Sequence, residues 1–221
     1  MTAKRQGPGR PPIPTDRILD AALQILDEGG PDALSLREVA RVLSSSTSTL
    51  YRHVSGRAAL VDLVIDRMIG EVDLREETYS DIAWDDACRA LATSFFEALS
   101  RHGAAAGLLV GSIPMGPNGM ALRERLLDAL MGAGFPPETC ARAMASLAHY
   151  CVGFAMQSPA EREERDSSGA SGALAATRAA GPRLASVAEY LPRPLHDEFA
   201  FGLDMLLRGL AATRQHQDLD G

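Results

Sequence analysis

Positions 47–53 crowd hydrogen-bonding side chains together: Thr47, Ser48, Thr49, Tyr51, Arg52 and His53 surround a single clearly apolar residue, Leu50. Hydroxyls, a phenol, an imidazole and a guanidinium at this density suit a surface that touches something polar, with Leu50 as its anchor to a core. A solvated turn between bundle helices is the plain alternative. Other chemistry finds less support. Cys140 and Cys151 are 11 residues apart, on one helical face but about 16 Å apart at 1.5 Å per residue, too far to share a metal ion. His149 faces away from Cys151, and Ser, His and Asp are too scattered for a catalytic triad. Neither a nucleophile elbow nor a phosphate-cradling glycine loop occurs. The expectation is a binding protein rather than an enzyme, without metal or cofactor, and with its methionines in core packing.

The charge distribution separates two roles. The 221 residues carry a formal charge of −7, which by itself argues against a nucleic-acid binder. Residues 1–60, however, hold 8 basic and 6 acidic side chains, and residues 61–221 hold 14 and 23. All basic residues but Lys4 are arginine, a bias that suits phosphate and base edges and that a GC-rich genome also produces.

The elements that must position these residues are all helical. Four prolines among Lys4, Arg5 and Arg10 make residues 1–14 a mobile basic arm. Thr15 is placed to cap a helix with Ile18, Leu19, Ala22, Leu23, Ile25 and Leu26 at helical spacing, stopped by Gly29-Gly30-Pro31. Ser35 and Glu38 form a capping box for a short second helix. Ser44-Ser45-Ser46 turns the chain into a third segment, Thr47 to His53, and Ser55 is placed to cap a fourth helix through Leu60, Val64, Met68 and Ile69. Further helices are expected at about 84–101, 104–111, 119–132, 138–157, 173–190 and 195–213, with a charged, then Ser/Gly-rich loop over 161–172 and no alternation of the kind strands show. Aromatics are 5% of the chain, so the core must be built mainly from Ala, Leu, Val and Met.

Two uncharged stretches, 103–122 and 143–160, are interrupted by Pro114, Pro117 and glycines or by Ser146, His149 and Gln157, and read as buried helix rather than membrane span. The first residues lack the apolar run of a signal peptide, and three cysteines make no disulfide framework. A cytoplasmic location is expected.

Two short helices joined by about three residues, behind an amphipathic helix, match the helix-turn-helix plan, whose second helix enters a major groove. The run LSLREVARVLSSSTSTLYRHVSGRAALVDLVIDRM, with Leu-Tyr-x-His at Leu50–His53, Arg57, Ala59-Leu60 and an upstream GRPP at Gly9–Pro12, closely resembles the DNA-binding domain of the tetracycline-repressor (TetR) family of bacterial transcription regulators. The turn departs from the family's usual Gly-Val-Ser. GFPPETCARAMASLAHYCVGF and FAFGLDMLLRGL resemble the two dimerisation helices of the tetracycline repressors.

The resemblance implies an arm at 1–14, a DNA-binding domain at 15–73, and a ligand-binding and dimerisation domain at 80–215. It implies phosphate contacts by Ser35 and Arg37, groove contacts by Thr47, Ser48, Thr49 and Arg52, and phosphate clamps at Tyr51, His53 and Arg57. Arg5 and Arg10 then either reach a minor groove or remain a soluble tail. The implied function is a dimeric, ligand-responsive repressor of operator DNA; the rival is a helical ligand-binding or protein-interaction module that does not bind DNA. Ala141, Ala145, Ala148, Gly202 and Gly209 are the small residues expected to let dimerisation helices approach. For the inducer, the resemblance and the residues disagree. Where tetracycline repressors hold a magnesium–drug complex, an ungapped comparison places Leu109, Asp73, Leu91, Arg125 and Gln157, and a leucine offers magnesium no oxygen. Leu91, Phe95, Leu109 and Met156, with Ser112, Arg125 and Gln157 as polar groups, instead suggest an apolar pocket with a positive end. Arg125 is equally able to pair with Asp73 or Glu124.

Overall fold

The computed structural model describes residues 13–75, 82–157, 181–191 and 193–217. Residues 1–12 of the basic arm, the 161–172 loop and the first part, 173–180, of the expected 173–190 helix lie outside them. Among the described residues every regular element is helical: α1 (Thr15–Ala33), α2 (Leu36–Val42), α3 (Thr47–Leu50), α4 (Arg57–Ile69), α5 (Trp84–Ser100), a 3-10 segment (Gly103–Leu109), α6 (Pro117–Gly132), α7 (Pro137–Ala155), α8 (Pro182–Val187) and α9 (Leu195–Gln217).

The first four helices close around one apolar seam. On α1, Ile18, Leu19, Ala22, Ile25 and Leu26 are buried, the i, i+3, i+4, i+7 stripe of a helix packed on one side. They meet Val39 and Ala40 of α2, Leu50 of α3, and Leu60, Val64 and Met68 of α4. Full burial of each large aliphatic contributes roughly 1.5–3 kcal/mol, so the position of α3 rests mainly on Leu50, which is 0% exposed.

The ends of these helices depart from the sequence reading. Pro14, not Thr15, occupies the cap position of α1, and no side chain caps it. The Gly29-Gly30-Pro31 signal does interrupt the first helix as expected: Gly30 takes the non-helical φ +70°, ψ −175°, and a separate short helical turn follows to Ala33. Ser55 does not cap α4, because Gly56 stands at that position with no side-chain bond. Ser35 does accept from the Glu38 N–H at 3.2 Å, but the Glu38 carboxylate turns outward to Arg41 at 2.6 Å, so only half of the capping box forms.

The turn between α2 and α3 shows what the missing glycine does. Ser44 has φ +47°, in the left-handed region where a side chain crowds the backbone. Ser44→Gly is therefore expected to stabilise the fold by about 0.5–1 kcal/mol after glycine's extra unfolded-state entropy is subtracted. Thermal unfolding measures it, and an unchanged or lower midpoint would show that Ser44 is not strained.

The remaining helices pack as a bundle in which α5 contacts α4, α6, α7 and α9. Aromatics are few but concentrated: Phe96 of α5 stacks on Phe199 of α9 at 4.1 Å, and Phe154 and Tyr150 of α7 pack on the same ring. The Tyr150 hydroxyl donates to the Phe199 carbonyl at 2.8 Å. Gly202 belongs to this contact, since a Cβ there would run into that hydroxyl. Its small size therefore serves packing within one chain. Methionine is also placed differently from expectation: Met68 is fully buried, whereas Met115, Met120, Met131, Met156 and Met205 are exposed.

Cys88, Cys140 and Cys151 are buried and unpaired. Burial pushes the Cys88 and Cys151 thiols each up to about 12. Both should stay unmodified by iodoacetamide at pH 8 in the folded protein and react fully in denaturant. Rapid labelling of the native chain, read by mass spectrometry, would contradict this burial.

Candidate nucleic-acid interface and ligand cavity

Ser46 accepts from the Thr49 N–H at 3.3 Å and caps α3, and its hydroxyl also meets those of Ser48 (2.8 Å) and Thr49 (2.9 Å). Regular α-helix ends at Leu50; Arg52 and His53 then bond back to Thr49 and Leu50, three residues earlier, so residues 51–53 form a tighter turn than the expected continuous helix. Tyr51 is 58% exposed. Thr47, Ser48 and Arg52 are also exposed, Thr49 and His53 half-buried. Ser35 and Arg37 stand at the start of α2, Ser35 half-buried as its cap and Arg37 exposed.

Arg57 does not extend from α4 as a simple clamp. Its Nε donates to the Leu34 carbonyl at 3.0 Å and its NH2 to the Pro31 carbonyl at 2.8 Å. Both carbonyls lie at the C-terminal end of α1, where that of Pro31 also accepts the Leu34 N–H at 3.4 Å, and the guanidinium adds charge-assisted bonds to them. Arg57 thereby ties the end of α1 to the start of α4.

A second cluster lies where α4 meets α5. The Glu71 carboxylate accepts from His102 Nε2 at 2.8 Å and from Arg101 Nε at 2.9 Å. Burial would raise its pKa, but the hydrogen bonds from His102 and Arg101 outweigh burial and hold it below the usual glutamate value.

Behind this junction lies a cavity of about 740 Å³. Ile69 of α4, Leu91 and Phe95 of α5, Leu109 to Pro114, Leu122 and Leu126 of α6, and Met144, Ala148, Val152 and Met156 around α7 form apolar walls. Polar groups are few: Ser112, Arg123 and His149. Of the expected pocket residues, Leu91, Phe95, Leu109, Ser112 and Met156 come together here.

Asp73, Arg125 and Gln157 do not line the cavity. Asp73 lies beyond the end of α4, where its carboxylate accepts from Arg75 at 2.7 Å. Gln157 is exposed past the last turn of α7. Arg125 reaches the Leu74 carbonyl at 3.4 Å. Helical phase explains the last displacement: Gly119, Leu122, Arg123 and Leu126 follow i, i+3, i+4, i+7, so Arg123 shares the cavity face and Arg125 turns away. The Arg123 guanidinium donates to the Pro114 carbonyl. No group of three His, Cys, Asp or Glu able to hold a metal occurs among the described residues.

A second concavity, of about 560 Å³, runs along α7 and α9 between Thr139, Arg142, Ser146, Met205, Leu206 and Gly209. Phe201 and Met205 beside it are 70% and 59% exposed. Gly209 is exposed here; Ala141 is exposed elsewhere on α7, and Ala145, exposed, and Ala148, half-buried, line the larger cavity instead. Among the described residues no helix is long and apolar enough to cross a membrane.

This arrangement, a small helical head in front of a bundle with an apolar cavity, recurs in known proteins. Residues 80–214 match the family model described as tetracyclin repressor-like, C-terminal domain, and residues 18–64 match bacterial regulatory proteins, tetR family. The chain belongs to the TetR family. It is similar to the HTH-type transcriptional repressor DrrR1 of Streptomyces coeruleorubidus, 31% identical over 92% of this chain and 80% of that protein. It is also similar to an HTH-type transcriptional regulator of Saccharopolyspora erythraea, 32% identical over 95% of this chain and 89% of that one. Among solved structures, the TetR family protein ActR of Streptomyces coelicolor in complex with actinorhodin superposes with a TM-score of 0.78 at 29% identity, covering 91% and 98% of the two chains. This TetR-family chain is a ligand-responsive DNA-binding transcriptional regulator of the repressor type.

Proposed function

We propose that this TetR-family chain acts in the cytosol as a homodimer. Its two heads grip a near-palindromic operator, and a largely apolar small molecule with an acidic group releases it. The observation that carries the ligand class is the 740 Å³ cavity with Arg123 as its cation. An aromatic or aliphatic body fits Leu91, Phe95, Leu109 and Met156, and a carboxylate, sulfonate or phenolate competes with the Pro114 carbonyl for the Arg123 guanidinium. The exposed apolar strip on α9, beside the small residues of α7, supports a two-fold four-helix interface. Thr47, Ser48, Thr49 and Arg52 then face the major groove, and Ser35, Arg37, Tyr51, His53 and Arg57 lie along the phosphates.

A magnesium–tetracycline complex does not fit these residues. Leu109 in the cavity wall supplies no ligand oxygen, and Asp73 lies outside the cavity. Selecting duplexes from a random library with the full chain should enrich a near-palindrome bound by two protomers. Failure to enrich any site, or one protomer per duplex, would refute the dimeric repressor. Magnesium with tetracycline at micromolar concentration should leave that complex intact, and metal-dependent release would overturn the ligand class.

A further inference from the structure

Asp66 is the buried charged residue among the described ones, 9% exposed, and its partners all lie across the junction between head and bundle. Its Oδ1 accepts from the backbone N–H groups of Asn118 and Gly119, each at 3.0 Å. Asn118 Nδ2 donates to Oδ2 and to the Asp66 carbonyl, each at 3.0 Å. The first turn of a helix leaves its N–H groups without partners. In α6 two of them are satisfied by a side chain from α4, so the cap is supplied by the DNA-reading head.

The geometry admits this cap because the local cap position is empty of side chain. Gly116 stands there, and a Cβ would collide with the Asp66 carboxylate. The same turn is part of the cavity. Gly119 lines it, with its Cβ position in tight contact with Pro114 at 3.0 Å, and Pro114 is held through its carbonyl by Arg123. A molecule that moves Pro114 or engages Arg123 disturbs the turn whose N–H groups are fastened to α4.

We propose that Asp66 is the positioning residue that couples occupancy of the cavity to the DNA-reading head, by capping α6 from α4. This rests on the reading of the chain as a ligand-released repressor, and the test separates the two. The full chain, the duplex it enriches from a random library, and anilinonaphthalene sulfonate as an apolar anionic probe give three quantities: probe affinity, DNA affinity, and the factor by which saturating probe weakens DNA binding. For the unaltered chain that factor should be about 5–150.

Asp66→Ala should bring the factor to within about twofold of unity while probe affinity stays as it was, because Asp66 does not line the cavity. Gly116→Ala, which pushes on the carboxylate from the other side, should do the same. Asp66→Asn keeps an oxygen acceptor and should retain part of the coupling. A factor unchanged from the parent chain in Asp66→Ala would overturn the coupling role alone; if that variant proves unfolded by circular dichroism, an unchanged factor in Gly116→Ala overturns it. A parent chain that fails to bind the probe, or that binds it and keeps its DNA, would overturn the ligand-release reading and the coupling role with it.

Discussion

Phe201→Arg is expected to convert the protein from a dimer to a monomer at micromolar concentration. Phe201 is 70% exposed on α9, with Met205 and Leu206 one helical turn further along, so a contiguous apolar strip faces outward. If that strip is the two-fold interface, the substitution places two uncompensated charges in it, one from each protomer. An unpaired buried charge costs about 3–5 kcal/mol, which raises the dimer dissociation constant roughly a hundredfold or more. DNA binding should fall with it, because a single head holds half of the contacts. The bundle itself should keep its helical content, since the Phe201 side chain contributes little to the core of one chain. Sedimentation equilibrium decides, and a dimer that survives the substitution would move the interface elsewhere.

How much of this molecule can be read from its sequence depends on what kind of contact fixes each residue. Periodicity marks the buried stripes well: Ile18, Leu26, Leu50, Leu60 and Met68 point inward as their spacing requires. Helix ends are less legible, because several groups compete for each cap. Thr15 and Ser55 have the right side chains, yet Pro14 and Gly56 occupy the cap positions. Long-range polar contacts are the least legible. Nothing near Asp66 in the chain announces Asn118, and nothing near Arg57 announces Pro31 and Leu34; both contacts exist because helix ends from distant segments present backbone groups that can take a side-chain partner. The cavity lies between these cases. Its aliphatic walls follow from position in the family, but its cation does not: an ungapped comparison selects Arg125, while the stripe Gly119-Leu122-Arg123-Leu126, visible in the sequence, selects Arg123.

Arg52→Ala is expected to weaken binding to the enriched duplex by about 1–3 kcal/mol, or roughly 5- to 150-fold, and to relax selectivity at one base step. Ser48 and Thr49 already share hydrogen bonds with the Ser46 hydroxyl, so much of their hydrogen-bonding capacity is used in holding α3. Arg52 is exposed just beyond Leu50, and its planar fork can meet the two acceptors of a guanine in the major groove. Arg57→Ala supplies the contrast. Its guanidinium holds the Leu34 and Pro31 carbonyls, so its loss should lower folding stability by about 1 kcal/mol. DNA affinity should then fall by a similar factor on every sequence, because the whole head is less firmly set and one phosphate partner is gone. Fluorescence anisotropy on the enriched duplex and on random DNA, at one salt concentration, distinguishes the two patterns. Equal losses on both duplexes for Arg52→Ala would show that Arg52 reads backbone rather than base.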